Sequence, residues 1–137
     1  MSSLKEDNLN NILPKDGPTV EETNKYLEKY KKDFIVIKMG GSVLSNKELF
    51  NNLIQDIVIL NKLELSIFLI HGGGSKISKK LDNLNIKSNF INGLRVTDDK
   101  IIDIVEDVLI KFNKEIINAL KNESCAAKEI TSKENNI

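Results

Sequence analysis

Two copies of one pattern constrain the fold of this chain more than any other feature: an apolar strand, a glycine-rich turn and an amphipathic helix. The first predicted strand is Phe34-Ile35-Val36-Ile37, which runs into Gly40-Gly41. The second covers Ser66 to Ile70 and runs into Gly72-Gly73-Gly74. Continuous apolar, β-branched runs are typical of strands covered on both faces in a parallel sheet. Two consecutive β-loop-α units predict an α/β fold, with a three-layer αβα arrangement around a mainly parallel, open sheet.

Helical spacing and capping signals predict the element that follows each strand. A capping-box pattern at Ser45 and Glu48 begins the helix after the first glycine pair. After the second glycine cluster, Ile77, Leu81 and Leu84 recur at helical spacing. Both glycine clusters are therefore predicted to connect a strand to a helix.

The segment after the second unit predicts a hairpin, a long helix and one more strand. Residues 89–96 indicate a short hairpin-like segment, and Thr97 with Asp98 and Asp99 then opens the helix. A further strand is predicted near residues 126–131. The apolar face of the long helix contains Ile101, Ile102, Val105, Val108, Leu109, Phe112, Ile116 and Leu120.

The chain divides into three predicted segments. Residues 1–18 are polar and contain Pro14, Gly17 and Pro18, which predicts a flexible lead-in. Residues 19–33 have glutamates early and lysines late, as suits a short N-terminal helix. Residues 34–137 contain no linker-like stretch and are predicted to be part of one continuous domain.

Charge and cysteine content exclude several classes of function. The 20 basic and 20 acidic side chains cancel, so no global field attracts nucleic acid or an anionic membrane. The longest apolar stretch, Ile67 to Ile70, is too short to cross a bilayer. Cys125 has no partner for an internal disulfide and no neighbouring metal ligands. We expect a cytoplasmic protein that binds neither nucleic acid nor membrane and holds no metal of its own.

The glycine clusters and Lys38 predict a site for phosphate. Strand ends of an open parallel sheet meet at one crevice, and glycine allows backbone N–H groups to surround an anion. Each cluster taken alone is as consistent with a tight strand-to-helix turn. Lys38 adds a positive charge beside the first cluster, which favours phosphate binding. Neither the dinucleotide fingerprint nor the P-loop sequence is present at Gly72–Ile77.

Arg95 and His71 each allow two interpretations. Arg95 is the one arginine among the 20 basic residues, and its planar fork suits a carboxylate. A surface ion pair with Asp98 or Asp99 is the alternative. His71 could serve as a general base, but a local hydrogen bond that holds its loop is favoured for a histidine at a strand end.

Three motifs in this order and spacing resemble the amino-acid kinase family and, within it, the N-acetylglutamate kinases. They are Lys38-Met39-Gly40-Gly41-Ser42, His71-Gly72-Gly73-Gly74 and Asn92-Gly93-Leu94-Arg95-Val96-Thr97-Asp98. The resemblance spans roughly residues 34–120. It implies an amino-acid kinase-like fold and transfer of the ATP γ-phosphoryl group to the side-chain carboxylate of N-acetyl-L-glutamate, a step of arginine biosynthesis.

The resemblance also implies a role for each site residue. Lys38 would be catalytic and stabilise the transferring phosphoryl group, and Gly40 and Gly41 would donate N–H groups to phosphate. Gly73 and Gly74 would surround the attacking carboxylate. Arg95 would bind the α-carboxylate of the substrate.

Family members are longer than this chain, so the resemblance covers an N-terminal, acyl-substrate half and implies an incomplete fold. Residues for ATP and its Mg would come from the missing half, or from a partner chain that supplies it. The segment at residues 19–32 also resembles an N-terminal helix that links family dimers into rings, so a homo-oligomer is expected. The alternatives are the kinase part of a bifunctional synthase-kinase, a non-catalytic N-acetylglutamate-binding or regulatory module, and an assembly subunit that pairs through its long helix.

Overall fold

The computed structural model describes residues 6–131 of the chain, and residues 1–5 and 132–137 of the predicted segments lie outside this range. Helices alternate with two parallel strands, and a small hairpin precedes the last helix. The elements are α1 (Glu6–Ile12), α2 (Val20–Tyr30), β1 (Phe34–Met39), α3 (Gly41–Ser45), α4 (Lys47–Lys62), β2 (Ser66–His71), α5 (Gly74–Asn83), β3 (Phe90–Ile91), β4 (Leu94–Arg95) and α6 (Asp99–Asn122).

The central sheet of the described residues pairs β1 with β2 in parallel, from Phe34 opposite Ser66 to Met39 opposite His71. Alternate side chains of the strands face a core formed with α4 and α6. That core contains Met39, Ile54, Ile57, Val58, Phe112, Ile116, Leu120 and Cys125. The predicted α/β class, its parallel sheet and its incompleteness are confirmed.

The opposite face of this sheet is exposed. Phe34 and Val36 of β1 are 69% and 61% exposed, and Phe68 and Ile70 of β2 are 40% and 53% exposed. The rings of Phe34 and Phe68 meet edge to face across the two strands, with centroids 5.1 Å apart. Within residues 6–131, helices therefore pack against one face of the sheet only.

The prediction that Ser45 caps the helix after the first glycine pair is wrong. Gly41–Ser45 forms the short helix α3, and Asn46 interrupts it with extended dihedral angles before α4 begins. The side-chain oxygen of Asn46 accepts hydrogen bonds from the backbone N–H groups of Glu48 and Leu49, at 2.9 and 3.1 Å. The cap thus falls one residue later, because a separate helical turn precedes it.

Of the two N-terminal helices, the sequence predicted only the second. The predicted helix after Thr19 is present as α2, and Thr19 and Glu22 form a reciprocal capping box. These hydrogen bonds, first from the Thr19 backbone and then from its hydroxyl, lower the pKa of Glu22. The sequence indicated no helix before it, yet α1 contacts α2 and its Leu9 is fully buried. An apolar stripe of two turns is too short to give a periodic signal.

The hairpin and the long helix that were predicted after the second strand-glycine-helix unit are confirmed. β3 and β4 pair antiparallel, with Phe90 opposite Arg95. Asn92 and Gly93 form the turn with φ values of 50° and 79°, as a primed hairpin turn requires. The carboxylate of Asp98 caps α6 by accepting hydrogen bonds from two backbone N–H groups.

Three details in the second half of the chain differ from the predictions. Residues 126–131 form no strand, and Ala126 and Ile130 line an open cavity of about 560 Å³ together with Phe68 and Ile70. Leu84 lies just beyond α5 and Ile102 is half-exposed.

No described helix combines the length and apolar content needed to cross a membrane.

Candidate functional site

The register of the sheet brings the two glycine clusters to the same edge. Lys38 lies opposite Ile70 and Met39 opposite His71, so the segments that follow β1 and β2 leave the sheet side by side. The helices that follow also meet, because the side-chain oxygens of Ser45 in α3 and Ser75 in α5 are 3.2 Å apart. The register therefore brings the two glycine loops to the same edge of the sheet, at the carboxyl ends of β1 and β2.

The first loop is open on its outer side. Gly40 precedes α3 and Gly41 begins it, and both are exposed. A Cβ atom built on either glycine would find no heavy atom within 4 Å. Lys38 is also exposed and lies on the same face of β1 as Val36. The lysine and both glycines thus border free space that a ligand can enter.

The second loop is held by the core. Gly73 is buried, and a Cβ atom built on it would lie 2.6 Å from Cδ2 of Leu109 and 3.2 Å from Cδ1 of Ile77. A side chain at position 73 would therefore require Leu109 and Ile77 to shift where α5 packs against α6. A Cβ atom on Gly72 or Gly74 would meet nothing within 4 Å. Gly74 is exposed, so its backbone is open to solvent.

Arg95 lies against the second loop. Its Nη2 donates to the carbonyl oxygen of Gly74 at 3.4 Å and to the hydroxyl of Ser78 at 2.7 Å. Its Nη1 donates to the hydroxyl of Ser88. Among the described residues Arg95 forms no ion pair with Asp98 or Asp99, and the Asp98 carboxylate caps α6. The structure thus brings Arg95 and Gly74 together, as the carboxylate-binding interpretation requires.

Sequence reasoning missed the residues that surround Arg95. The guanidinium carbon lies 4.7 Å from the ring centroid of Phe90, its cross-strand partner in the hairpin. Ser78 is one helical turn after Gly74, and Ser88 lies just before β3. The spacing around Asn92-Gly93 could have predicted the Phe90 contact, because a two-residue turn fixes that pairing. The contacts of the two serines depend on tertiary packing and leave no local signal.

His71 and Lys76 connect the second loop to α6. Nδ1 of His71 lies 3.1 Å from the carbonyl oxygen of Gly72, and the ring packs edge-on against Phe112, with centroids 4.9 Å apart. The predicted local hydrogen bond of His71 is therefore present. Lys76 pairs with Glu115 and lies 4.2 Å from the centroid of the same Phe112 ring. These contacts fix α5 on α6 beside the glycines.

Neither a metal centre nor a reactive thiol is indicated in the part of the chain that the structure describes. Residues 6–131 contain no group of three or more His, Cys, Asp or Glu side chains that could hold a metal ion. Cys125 is buried in the core, and this burial raises the pKa of its thiol. A thiol of this kind is a poor nucleophile at neutral pH.

The chain belongs to the amino acid kinase family, whose sequence profile matches residues 33–136. The acetylglutamate kinase of Pelagibacter ubique (strain HTCC1062) is 64% identical over 137 residues, which are 100% of this chain and 48% of that protein. The acetylglutamate kinase of Carboxydothermus hydrogenoformans is 41% identical over 110 residues, 80% of this chain and 37% of that protein. The predicted resemblance to acetylglutamate kinases is confirmed. The chain spans about half the length of these relatives or less.

The fold itself has a counterpart among solved structures. N-acetylglutamate synthase from Neisseria gonorrhoeae, complexed with coenzyme A and N-acetyl-glutamate, superposes with a TM-score of 0.63 and 23% sequence identity. The match covers 76% of this chain and 24% of the synthase chain. At this identity the likeness supports the α/β fold and says nothing about the reaction.

Proposed function

We propose that this chain contributes the N-acetylglutamate-binding side of an acetylglutamate kinase, which transfers the γ-phosphoryl group of ATP to the side-chain carboxylate of N-acetyl-L-glutamate. The observation that carries the proposal is the position of Arg95 against Gly74, at the edge of the sheet where the open Gly40-Gly41 loop also lies. A guanidinium beside an open glycine loop suits a ligand that carries two separate anionic groups. N-acetylglutamate is a dicarboxylate of this kind.

The reaction needs no general base from the chain. The attacking side-chain carboxylate is ionised at neutral pH, so catalysis rests on alignment and on neutralising charge. In this scheme Arg95 binds the α-carboxylate, which leaves the side-chain carboxylate directed along the second loop. The backbone of Gly73 and Gly74 lies next to it. His71 then has a structural role, in keeping with its contacts to Gly72 and Phe112.

The first loop would receive the phosphoryl group. Lys38 at the end of β1 supplies a positive charge, and the backbone N–H groups of Gly40 and Gly41 supply hydrogen-bond donors for phosphate oxygens. The open space around both glycines leaves room for such a group. Attraction that grows as charge moves onto the transferred phosphoryl group lowers the barrier for its transfer.

ATP is the phosphoryl donor in this proposal, with Mg bound to its phosphates. Since residues 6–131 contain no cluster of metal ligands, we assign none of them to Mg. The nucleotide-binding residues are proposed to belong to the portion of the longer relatives that this chain does not span. Residues 34–137 would then be the acyl-substrate half of the kinase domain, in a cytoplasmic enzyme of arginine biosynthesis. A homo-oligomer is part of this proposal.

Isothermal titration of the 137-residue chain with N-acetyl-L-glutamate tests the proposal. The matched control ligand is 4-acetamidobutanoate, which has the same acetamido group and chain but no α-carboxylate. We expect N-acetyl-L-glutamate to bind at least about 10-fold more tightly than the control, because it alone engages Arg95. A folded chain that binds neither ligand, or binds both equally, contradicts the proposed site.

A further inference from the structure

The guanidinium of Arg95 is held on three sides before any ligand binds. Ser78 and Ser88 accept hydrogen bonds from its two terminal nitrogens, and the ring of Phe90 covers its face. Both serines are half-buried, and so is Arg95. The two serines come from different elements, α5 and the loop before β3, so they fix the guanidinium against both.

The number of N–H groups on the Arg95 guanidinium determines how many remain for a ligand. A guanidinium has five N–H groups, and a hydroxyl that accepts one of them keeps its own O–H as a donor. Ser78, Ser88 and the Gly74 carbonyl together accept three of the five, and the contact to Gly74 is long at 3.4 Å. Two N–H groups remain, and the weak Gly74 contact is the one a carboxylate would most readily replace. The serines can stay in place while a carboxylate binds.

We propose that Ser78 and Ser88 are positioning residues that hold Arg95 in the orientation that binds the α-carboxylate of the substrate. The carboxylate-binding part of this inference rests on the proposed function. A long arginine side chain loses rotamer entropy when it is fixed in one place. Contacts that fix it in the free protein remove that cost from ligand binding. Ser78 and Ser88 therefore raise affinity through the arginine.

The composition of the chain allows a test that needs no ligand. Arg95 is its one arginine, so the guanidinium gives a single set of ¹⁵N NMR signals with no overlap. We expect the wild type to show separate, slowly exchanging Nη protons at low temperature. In the Ser78→Ala/Ser88→Ala variant these signals should average, because rotation of the guanidinium becomes free. Ser66→Ala, a serine at the opposite end of β2, is the matched control and should leave them unchanged.

Ligand binding tests the functional part. Ser78→Ala/Ser88→Ala should weaken N-acetyl-L-glutamate binding about 10-fold and leave 4-acetamidobutanoate binding within about 2-fold. Ser78→Thr/Ser88→Thr, which keeps both hydroxyls, should recover most of the affinity. In an Arg95→Ala background the serine substitutions should have no further effect, because the residue through which they act is absent.

The outcomes separate this inference from the proposed function. Unchanged guanidinium signals in the folded double variant, or an equal loss of affinity for both ligands, overturns the positioning role while the proposed function stands. A wild-type chain that binds neither ligand overturns the proposed function, and the carboxylate role of the serines falls with it. Averaged signals together with a selective loss of N-acetyl-L-glutamate binding support both.

Discussion

The two strand-glycine-helix units of this chain follow the same sequence pattern, but the structure uses their glycines differently. Gly40 and Gly41 in the first unit border open space and lead into a short helix that breaks at Asn46. Gly73 in the second unit is packed under Leu109, and its loop leads directly into α5. The first loop therefore has open space beside its glycines. The second is fixed by the core before a ligand arrives.

This difference matches the proposed division of labour. A loop that positions the attacking group gains from rigidity, since small displacements of reacting atoms slow a reaction strongly. A loop that receives a phosphoryl group must accept a ligand that enters and leaves. Arg95 adds a further contact to the second loop at the Gly74 carbonyl. In the first unit the Ser45 hydroxyl donates to the Gly41 carbonyl, and Val43 packs against the core.

The largest effect that would sharpen this comparison is on substrate affinity. Arg95→Ala should weaken N-acetyl-L-glutamate binding by about 3 kcal/mol, or roughly 150-fold, because a carboxylate loses its charged hydrogen-bond partner. Lys38→Ala, in the first unit, should change this affinity by no more than about 3-fold, since Lys38 is assigned to the phosphoryl group. Calorimetric titration of both variants measures the contrast. Equal losses would mean that the two loops do not divide the ligand as proposed.

The next effect concerns stability. Gly73→Ala should lower the free energy of unfolding by about 2 kcal/mol, because its Cβ would overlap Leu109 and crowd Ile77. Gly74→Ala, at the start of α5, is the control and should be neutral or slightly stabilising, because alanine favours the helix and meets no atom. Urea unfolding followed by circular dichroism gives both values. A Gly73→Ala chain as stable as the wild type would show that the second loop is not fixed by packing.

A smaller effect on stability comes from the N-caps, which differ between the long helices of the two units. Asn46 caps α4 through its side chain, whereas Gly73 caps α5 without one. Asn46→Ala should therefore cost about 1 kcal/mol of stability, typical for loss of an N-cap. Asn52→Ala, on the exposed surface of the same helix, should cost nothing in the same urea experiment. Equal midpoints for the two variants would contradict the capping role.

The smallest expected effect is electrostatic. Glu115→Gln removes the ion pair through which α6 holds Lys76 of the second unit, and should cost about 0.5 kcal/mol. Because the pair is partly exposed, the cost should shrink further in 1 M salt. Asp107→Asn, which removes an ion pair within α6, provides the comparison in thermal unfolding. A salt-independent loss at Glu115 would point to packing against Phe112 instead.

Local patterns predicted much of this fold. Apolar runs located both strands, Asp98 marked the start of α6, and Asn92-Gly93 marked the hairpin turn. The predictions failed where tertiary packing decides the outcome. Asn46 caps α4 instead of Ser45 because the short helix α3 occupies Gly41–Ser45. Residues 126–131 pair with no strand although their composition allows it.

The candidate site shows the same limit. The glycine clusters with Lys38 indicated phosphate binding from their residue types, but the site roles of the glycines, Lys38 and Arg95 came from the resemblance to the kinase family. The sheet brings the two glycine loops to one edge, and the hairpin places Arg95 against Gly74. Ser78 and Ser88 were missed, since a serine ten residues from another carries no signal until folding places both against Arg95. The close packing around Gly73 likewise depends on Leu109, which is distant in sequence.

The exposed sheet face links folding to association. Phe34, Val36, Phe68 and Ile70 remain in contact with water in this structure, and covering apolar surface yields about 25 cal/mol for each Å² removed from water. Any segment that covers them, whether from a longer chain or from another molecule, stabilises the sheet as it binds. The free energy of unfolding of residues 34–71 and the affinity for that segment are then two measures of one equilibrium. A change that raises the affinity for that segment will also raise the free energy of unfolding measured in its presence.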